Sequence, residues 1–368
     1  MSNALDKLTI KGFKSIESLD DFELTNLNIL IGGNGAGKTN FIDFFRLLHE
    51  MIDGNLNDYI HKSGGISDLL FNGRKVTEKL KFITRFGIRG YRFSIVPGAK
   101  EDFSIAKEAR YYKGGSSGWW ELGDSADGTS RLAREVKDKT PDCKYGKPVY
   151  DAVTSWQIYH FHDTSKNAPM RHYEIVQDNR KLRFNGANIA PYLLRLKNKY
   201  SDLYKEITEA IRLVTPFFDE FILEAEEFGQ KQKVNLSWRQ KGTDYPMQPY
   251  HLSDGSIRFI CLVTALLQPH PPAAIIIDEP ELGLHPFAIN VLAELVQSAA
   301  KKTQLIIATQ SPAFIDNFSI ENIIVVNRKQ GASTFKRLEE KDFNVWLENY
   351  SVGELWSKNV ISGGAVHE

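Results

Sequence analysis

Residues Gly32 to Thr39 read G-G-N-G-A-G-K-T, a spacing of small residues, one lysine and one hydroxyl that suits a chain of phosphates. Glycines leave room for successive backbone N–H groups to close on phosphate oxygens. Lys38 has the reach for the outer phosphates, and the Thr39 hydroxyl is placed to ligate Mg²⁺. The candidate nucleotide-binding residues are Gly32, Asn34, Gly35, Ala36, Gly37, Lys38, Thr39 and the adjoining Asn40. A second constellation is A-I-I-I-D-E at 274–279, an apolar run ending in two carboxylates. A strand of this kind sets Asp278 at its carboxyl end to hold Mg²⁺, and Glu279 to orient or deprotonate an attacking water. A third, L-S-D-G-S at 252–256, opens an apolar stretch. Ser253 and Gly255 there offer a hydroxyl, free N–H groups and a positive dipole end to a γ-phosphate, or simply cap a helix. Together the three imply a nucleoside triphosphate site.

The elements needed to position these residues are legible. Leu27–Ile31 is a short apolar run that reads as a strand, and Phe41, Phe44, Phe45 and Leu48 predict a helix from Thr39 to about Met51. Leu8 to Phe22 alternates like the opening strands of a mixed sheet. From Gly64 to Tyr150 short strand-like runs such as Leu80–Ile83 and Tyr91–Val96 predict an antiparallel β-rich lobe over 60–150, with a loop at Gly114–Gly118. Leu193, Leu196, Leu203, Ile207 and Ile211 predict a helical lobe over 186–218, and Phe221 to Trp238 reads as a hairpin. An α/β texture returns over 250–340. The expected architecture is α/β, one domain over 1–368 with a mixed-sheet core built from both chain ends, an antiparallel β lobe and an inserted helical lobe.

Composition narrows the function classes. Lys plus Arg and Asp plus Glu balance at 46 each, so no global field draws in nucleic acid or membrane. Locally, eleven basic residues face four acidic ones between Arg74 and Lys113, which suits either a phosphate-backbone contact or a solvated sheet face. Cys143 and Cys261 have no metal-ligand spacing and fit a reducing compartment. No long apolar stretch opens the chain, and the run Phe259 to Leu267 is too short to span a bilayer. The expectation is a cytoplasmic protein without membrane contact.

The phosphate loop, L-S-D-G-S, the D-E strand and E-L-G-L-H-P after it resemble an ABC-type ATPase. Within that superfamily the chain resembles the RecF, SMC and OLD-like branch, especially the stand-alone bacterial AAA family ATPases of AAA_21 type. The opening L-T-I-K-G-F-K-S-I, W-Q-I-Y-H-F-H-D-T-S at 156–165, T-Q-S-P at 309–312 and the tail W-L-E-N-Y-S-V-G-E-L-W carry the same likeness. The resemblance implies ATP and Mg²⁺ as cofactors, held between two copies in a head-to-tail homodimer, with Ser253 and Gly255 meeting the γ-phosphate bound to the other copy. It implies that Glu279 is the catalytic carboxylate and that 281–285 lines the dimer seam. Gln310 falls where many relatives carry a switch histidine, and the resemblance offers Gln157 as a counterpart of a metal-contacting glutamine, the alternative being an ordinary edge-strand residue. OLD-like relatives fuse a nuclease domain after the ATPase, and 58 residues after Gln310 are too few for one. The implied role is an ATP-driven switch in DNA repair or anti-phage defence, acting on DNA or on a separate nuclease-like effector. An ATP-gated scaffold for a partner protein is the alternative. A transporter subunit fits poorly, because more than two hundred residues separate Thr39 from Ser253.

Overall fold

The computed structural model describes residues 4–99, 101–114 and 118–361. The chain opens with an antiparallel pair, β1 (Lys7–Phe13) and β2 (Ile16–Glu23), followed by β3 (Leu27–Ile31) and the long helix α1 (Lys38–Asp53). Two short helices, α2 (Leu56–Lys62) and α3 (Ile66–Leu69), lead to β4 (Leu80–Phe86), β5 (Arg89–Pro97), β6 (Phe103–Tyr112) and β7 (Gly118–Ser125). These strands form an antiparallel sheet in the order β2-β1-β4-β5-β6-β7. The opening strands therefore belong to the antiparallel sheet rather than to the mixed one. The reason is packing: Leu8 and Ile10 join Leu80, Phe82, Phe93 and Ile95 in one apolar cluster against Phe41, Phe44 and Phe45 of α1. Of the loop expected at 114–118, residues 115–117 lie outside the described residues.

Helices α4 (Arg131–Lys137) and α5 (Cys143–Ser155) close this part and deliver the chain to β8 (Gln157–Tyr159). The 186–218 region is two helices, α6 (Ile189–Lys199) and α7 (Ser201–Val214), separated at Tyr200, with Leu193, Leu196, Ile207 and Ile211 buried. Around them lie β9 (Glu174–Ile175), β10 (Phe218–Ile222), β11 (Glu226–Phe228), β12 (Lys231–Val234), β13 (Ser237–Gln240) and β14 (Pro246–Met247). The hairpin read from 221–238 resolves into two pairings, β11 with β12 and β10 with β13, in separate sheets.

The core sheet is assembled from distant segments. After α8 (Asp254–Leu266) come β15 (Ala274–Asp278), α9 (Pro286–Ala300), β16 (Gln304–Thr309), α10 (Pro312–Ile315), β17 (Ile323–Lys329) and β18 (Ala332–Arg337). The order is β18-β17-β3-β16-β15-β8, parallel except for β18. Both faces are covered: Ile29, Ile277 and Ile307 join one core cluster, while Leu30, Ile276 and Ile306 join the other. Double coverage is what continuous apolar strands with helical crossovers demand. In the tail, Tyr350, Leu355 and Trp356 pack on the core whereas Trp346 stays exposed. Among the described residues no helix is long and apolar enough to cross a membrane.

Gln304 ties the chain's opening to this sheet. Its Oε1 accepts from Leu5 N–H at 3.1 Å, and its Nε2 donates to the carbonyls of Leu5 and Thr25, both at 2.9 Å. Replacing it with Ala strands buried backbone groups at Leu5. Gln304→Ala is expected to lower stability by about 3 kcal/mol, measured by denaturant unfolding; an unchanged midpoint would refute this role.

Candidate active site

The phosphate loop joins β3 to α1, and its shape depends on glycine at two places. Gly37 has φ 114°, and a Cβ there would stand 2.1 Å from Ser333 Oγ. A Cβ on Gly32 would meet the Val326 carbonyl at 2.3 Å. Both approaches exclude a side chain. The loop is braced from outside the motif. Ser333 Oγ donates to the Ala36 carbonyl at 2.6 Å, its oxygen lies 2.7 Å from Ser15 Oγ, and Asn40 Nδ2 donates to that same Ser15 hydroxyl at 2.7 Å. Ser15 sits in the β1–β2 turn and Ser333 on β18, so no local sequence signal marks either. Lys38 is 5% exposed and donates from Nζ to the carbonyls of Gly32 at 2.7 Å and Gly33 at 3.2 Å. Burial lowers its pKa, opposed by the carboxylates of Glu279, Asp278 and Glu281.

The carboxyl ends of three neighbouring strands supply the rest. Thr39 Oγ1 donates to Asp278 Oδ2 at 3.1 Å, across 239 residues of sequence. Asp278 is buried, and that burial raises its carboxyl pKa above the usual value against the opposing pull of the Thr39 hydrogen bond. Glu279 follows with φ 45°, a left-handed backbone unusual for a residue with a side chain. Its N–H is tied to the Ala308 carbonyl at 2.7 Å. Gln310 donates from Nε2 to Glu279 Oε1 at 2.5 Å. Glu281, which opens the E-L-G-L-H-P run, is buried behind them. Its Oε1 accepts from the Thr309 hydroxyl and from the Gln310 N–H, and burial raises its pKa. Asn34, Gly35, Gly37, Lys38, Thr39, Asn40, Glu279 and Gln310 line one concavity of about 150 Å³.

The donor set fits Mg²⁺. A threonine hydroxyl and an aspartate oxygen stand together beside a cradle for phosphate, and hard oxygen ligands of this kind suit the ion. When bound, Mg²⁺ would neutralise charge on the outer phosphates.

Gln157 is not part of this gathering. It pairs opposite Ile275 on β15, three residues before Asp278, and its Oε1 accepts from the Tyr159 hydroxyl and from Gln268 Nε2. At about 3.3 Å per residue that places it roughly 10 Å short of the strand end. The side chain from this segment that reaches Asp278 is instead His162, whose Nε2 lies 2.9 Å from the Asp278 carbonyl oxygen and whose ring centre is 4.0 Å from that of His160, tilted by 33°. The H-F-H-D run that contains it was visible, but nothing in it distinguishes one polar position from another.

Ser253 and Gly255 stand apart from the concavity. Ser253 caps α8, accepting from Ser256 N–H at 3.1 Å. A Cβ on Gly255 would meet the Gly283 carbonyl at 2.4 Å, so this glycine lets α8 press against the 281–285 loop. Two buried arginines, both missed by motif reading, hold this region. Arg171 donates to the carbonyls of Pro249 and Leu252 and to Asp254 Oδ1, and Arg258 donates to the carbonyls of Phe161, His162 and Leu282. Neither the serine nor the glycine touches the phosphate loop of its own chain.

The family model described as "AAA domain, putative AbiEii toxin, Type IV TA system" (AAA_21) matches residues 27–316. The chain belongs to this family. Its fold is that of an ABC-type, SMC-like P-loop ATPase. The Smc head bound to the C-terminal winged-helix domain of ScpA superposes with a TM-score of 0.59 at 17% identity, over 93% of this chain and 99% of that one. The Smc head with an extended coiled coil, bound to the C-terminal domain of ScpA from Pyrococcus furiosus, gives 0.55 at 17%, over 94% and 98%. No curated protein matches the chain at a significant level. Membership in this P-loop ATPase family implies nucleotide binding.

The raised pKa of Asp278 carries a stability consequence. A carboxyl whose folded pKa exceeds its unfolded one favours the fold below the unfolded value, and that contribution is lost as pH rises through the folded value. Asp278→Asn should therefore raise the melting temperature of the nucleotide-free protein at neutral pH, with the gain vanishing in acid. A lower melting temperature at neutral pH would contradict the reading.

Proposed function

We propose that this chain binds ATP with Mg²⁺ and hydrolyses it as a head-to-tail homodimer, using the ATP-dependent pairing as a switch for a separately encoded effector in DNA repair or anti-phage defence. One observation carries the reading. Lys38, Thr39, Asp278, Glu279 and Gln310 converge, while Ser253 and Gly255 form an exposed helix start with no contact to that loop. A helix N-terminus offered to solvent suits the γ-phosphate of a second copy. In that arrangement Glu279 accepts the proton of the attacking water. Gln310, bonded to its Oε1, keeps the carboxylate aimed, and Lys38 neutralises the outer phosphates. Loss of the γ-phosphate removes the group common to both surfaces, and the copies separate. A cytoplasmic location suits this reading.

The output through a partner is supported by the family description, which names a toxin–antitoxin system, and by the Smc heads, which are bound to domains of ScpA. The scaffold alternative shares this support and differs only in lacking nucleic-acid contact.

Glu279→Gln is expected to retain ATP, turn over about 10²–10⁴-fold more slowly and accumulate as dimer in size-exclusion chromatography with ATP. Unimpaired turnover would remove Glu279 from its role. Lys38→Ala should lose nucleotide affinity in equilibrium dialysis. The dimer itself is tested by mixing Lys38→Ala with Ser253→Arg, each inactive alone. A head-to-tail pair of one of each contains one intact site, so ATPase activity should reappear on mixing. No recovery, with both variants folded, would count against a shared site.

A further inference from the structure

The outer face of the antiparallel sheet carries an arrangement that the ATPase site does not use. Strand alternation turns Leu80, Phe82, Phe93 and Ile95 inward and leaves Lys81, Arg85 and Arg92 on the other side. Lys81 pairs opposite Ser94, and Lys79, Lys81, Arg92, Ser94 and Lys107 line a concavity of about 260 Å³. Lys107 reaches it through a bulge. The β5–β6 register shifts between Arg92 and Ser94, and Lys107 takes φ 52°, so that two residues of β6 stand against one of β5.

Charge pairing divides the cations on and around this sheet, and the three lysines of the concavity fall on the unpaired side. Lys7, Lys11, Arg74, Arg92 and Arg110 each have a carboxylate partner: Glu23, Asp20, Glu101, Glu121 and Glu135. Lys79, Lys81 and Lys107 make no ion pair with any described carboxylate. The carboxylates that border the hollow have other partners at hydrogen-bond distance, although Asp20 also feels the charge of Lys81. Asp20 holds Lys11, Glu121 holds Arg92, and Asp124 accepts from the Lys107 backbone N–H at 2.8 Å. In a chain of zero formal net charge, three unpaired lysines around one hollow are a local excess with an anion as its complement.

Beside the hollow stands an aromatic–guanidinium stack. The Arg85 guanidinium lies 3.9 Å from the ring centre of Tyr111 and 4.5 Å from that of Trp119, and Arg92 lies 4.6 Å from Trp119. Trp119 is half-buried, on the outermost strand β7. Planar cationic and aromatic groups of this kind stack on unpaired bases, and a lone phosphate would have no use for them.

We propose that this sheet face is a docking site for single-stranded nucleic acid, with Lys79, Lys81 and Lys107 on the phosphodiester backbone and Trp119 with Arg85 as a base platform. It names a partner for the switch proposed above and rests on that reading only for its use, because the contact itself requires no ATP.

The test is fluorescence anisotropy of a labelled 30-nucleotide single strand across a salt series, with nucleotide-free full-length protein. Wild type should bind, with affinity falling steeply with salt. The triple variant Lys79→Glu/Lys81→Glu/Lys107→Glu should bind at least about tenfold more weakly, and its log–log salt slope should be shallower by about two units, at about 0.7 per lost phosphate contact. Trp119→Ala should weaken binding about tenfold with the slope unchanged. Lys301→Glu/Lys302→Glu, on the surface at the end of α9, should bind like wild type, as should Lys38→Ala. The last arm separates a failure of docking from a failure of the ATPase reading. Absence of wild-type binding at low salt, equal loss in the Lys301/Lys302 variant, or tighter binding of a duplex than of the single strand would each overturn the proposal.

Discussion

The pairing of β16 between β3 and β15 is the interaction on which the rest of the site depends. Its register sets Thr309 beside Ile31 and Ala308 beside Asp278. The phosphate loop, the paired carboxylates and Gln310 thereby leave the sheet from one edge. A parallel sheet makes this arrangement cheap, because all carboxyl ends point the same way and loops beyond them converge. Ile29, Ile277 and Ile307 on one face and Leu30, Ile276 and Ile306 on the other hold the strands in that register. A shift by one residue would turn each apolar side chain to the wrong layer.

Onto this frame the protein places charge where burial disfavours it. Lys38, Asp278 and Glu281 are all buried, and desolvation is the leading influence on each. The lysine is set against these two carboxylates and Glu279, and carbonyls and hydroxyls supply much of the hydrogen bonding, although Glu281 Oε2 is buried with no partner among the described residues. Such a cluster is weak as a source of stability but well suited to receiving a polyanion and a cation together. The left-handed backbone of Glu279 fits the same pattern, a strained residue held by Ala308 and Gln310 at the point where chemistry is expected.

The braces outside the motifs explain how a loop of glycines keeps one shape. Ser15 and Ser333, 318 residues apart, meet beneath Gly37 and tie the antiparallel sheet, the core sheet and the phosphate loop into one contact. Arg171 and Arg258 do the equivalent for the start of α8. Arg258 links that helix to the 281–285 loop and to the segment after β8, whose His162 touches Asp278. The region proposed to meet a second copy is thus mechanically joined to the carboxylates at the heart of the site.

Local chemistry made much of this legible in advance. Glycines with a lysine and a threonine, an apolar run ending in Asp278 and Glu279, and Ser253 before a helix are each defined by neighbours in sequence, because each forms within one turn or one strand end. The sheet to which β1 and β2 belong is not legible in this way, since an alternating strand states which face is buried and not which strand it pairs with. Gln157 was misplaced for a related reason: its residue type suited a metal contact, but only the register of β8 on β15 shows it roughly 10 Å from the strand end. Ser15, Ser333, Arg171 and Arg258 carried no signal, and within the H-F-H-D and E-L-G-L-H-P runs nothing marked out His162 or Glu281, because the partners of all six lie far along the chain. The same holds for the sheet's outer face, where sequence counted eleven cations and only tertiary pairing showed which of them keep a carboxylate. Sequence determined the chemistry available at Gly32 to Thr39. The sheet decided what stands opposite it, because contacts between distant strands are set by the packing of both faces at once.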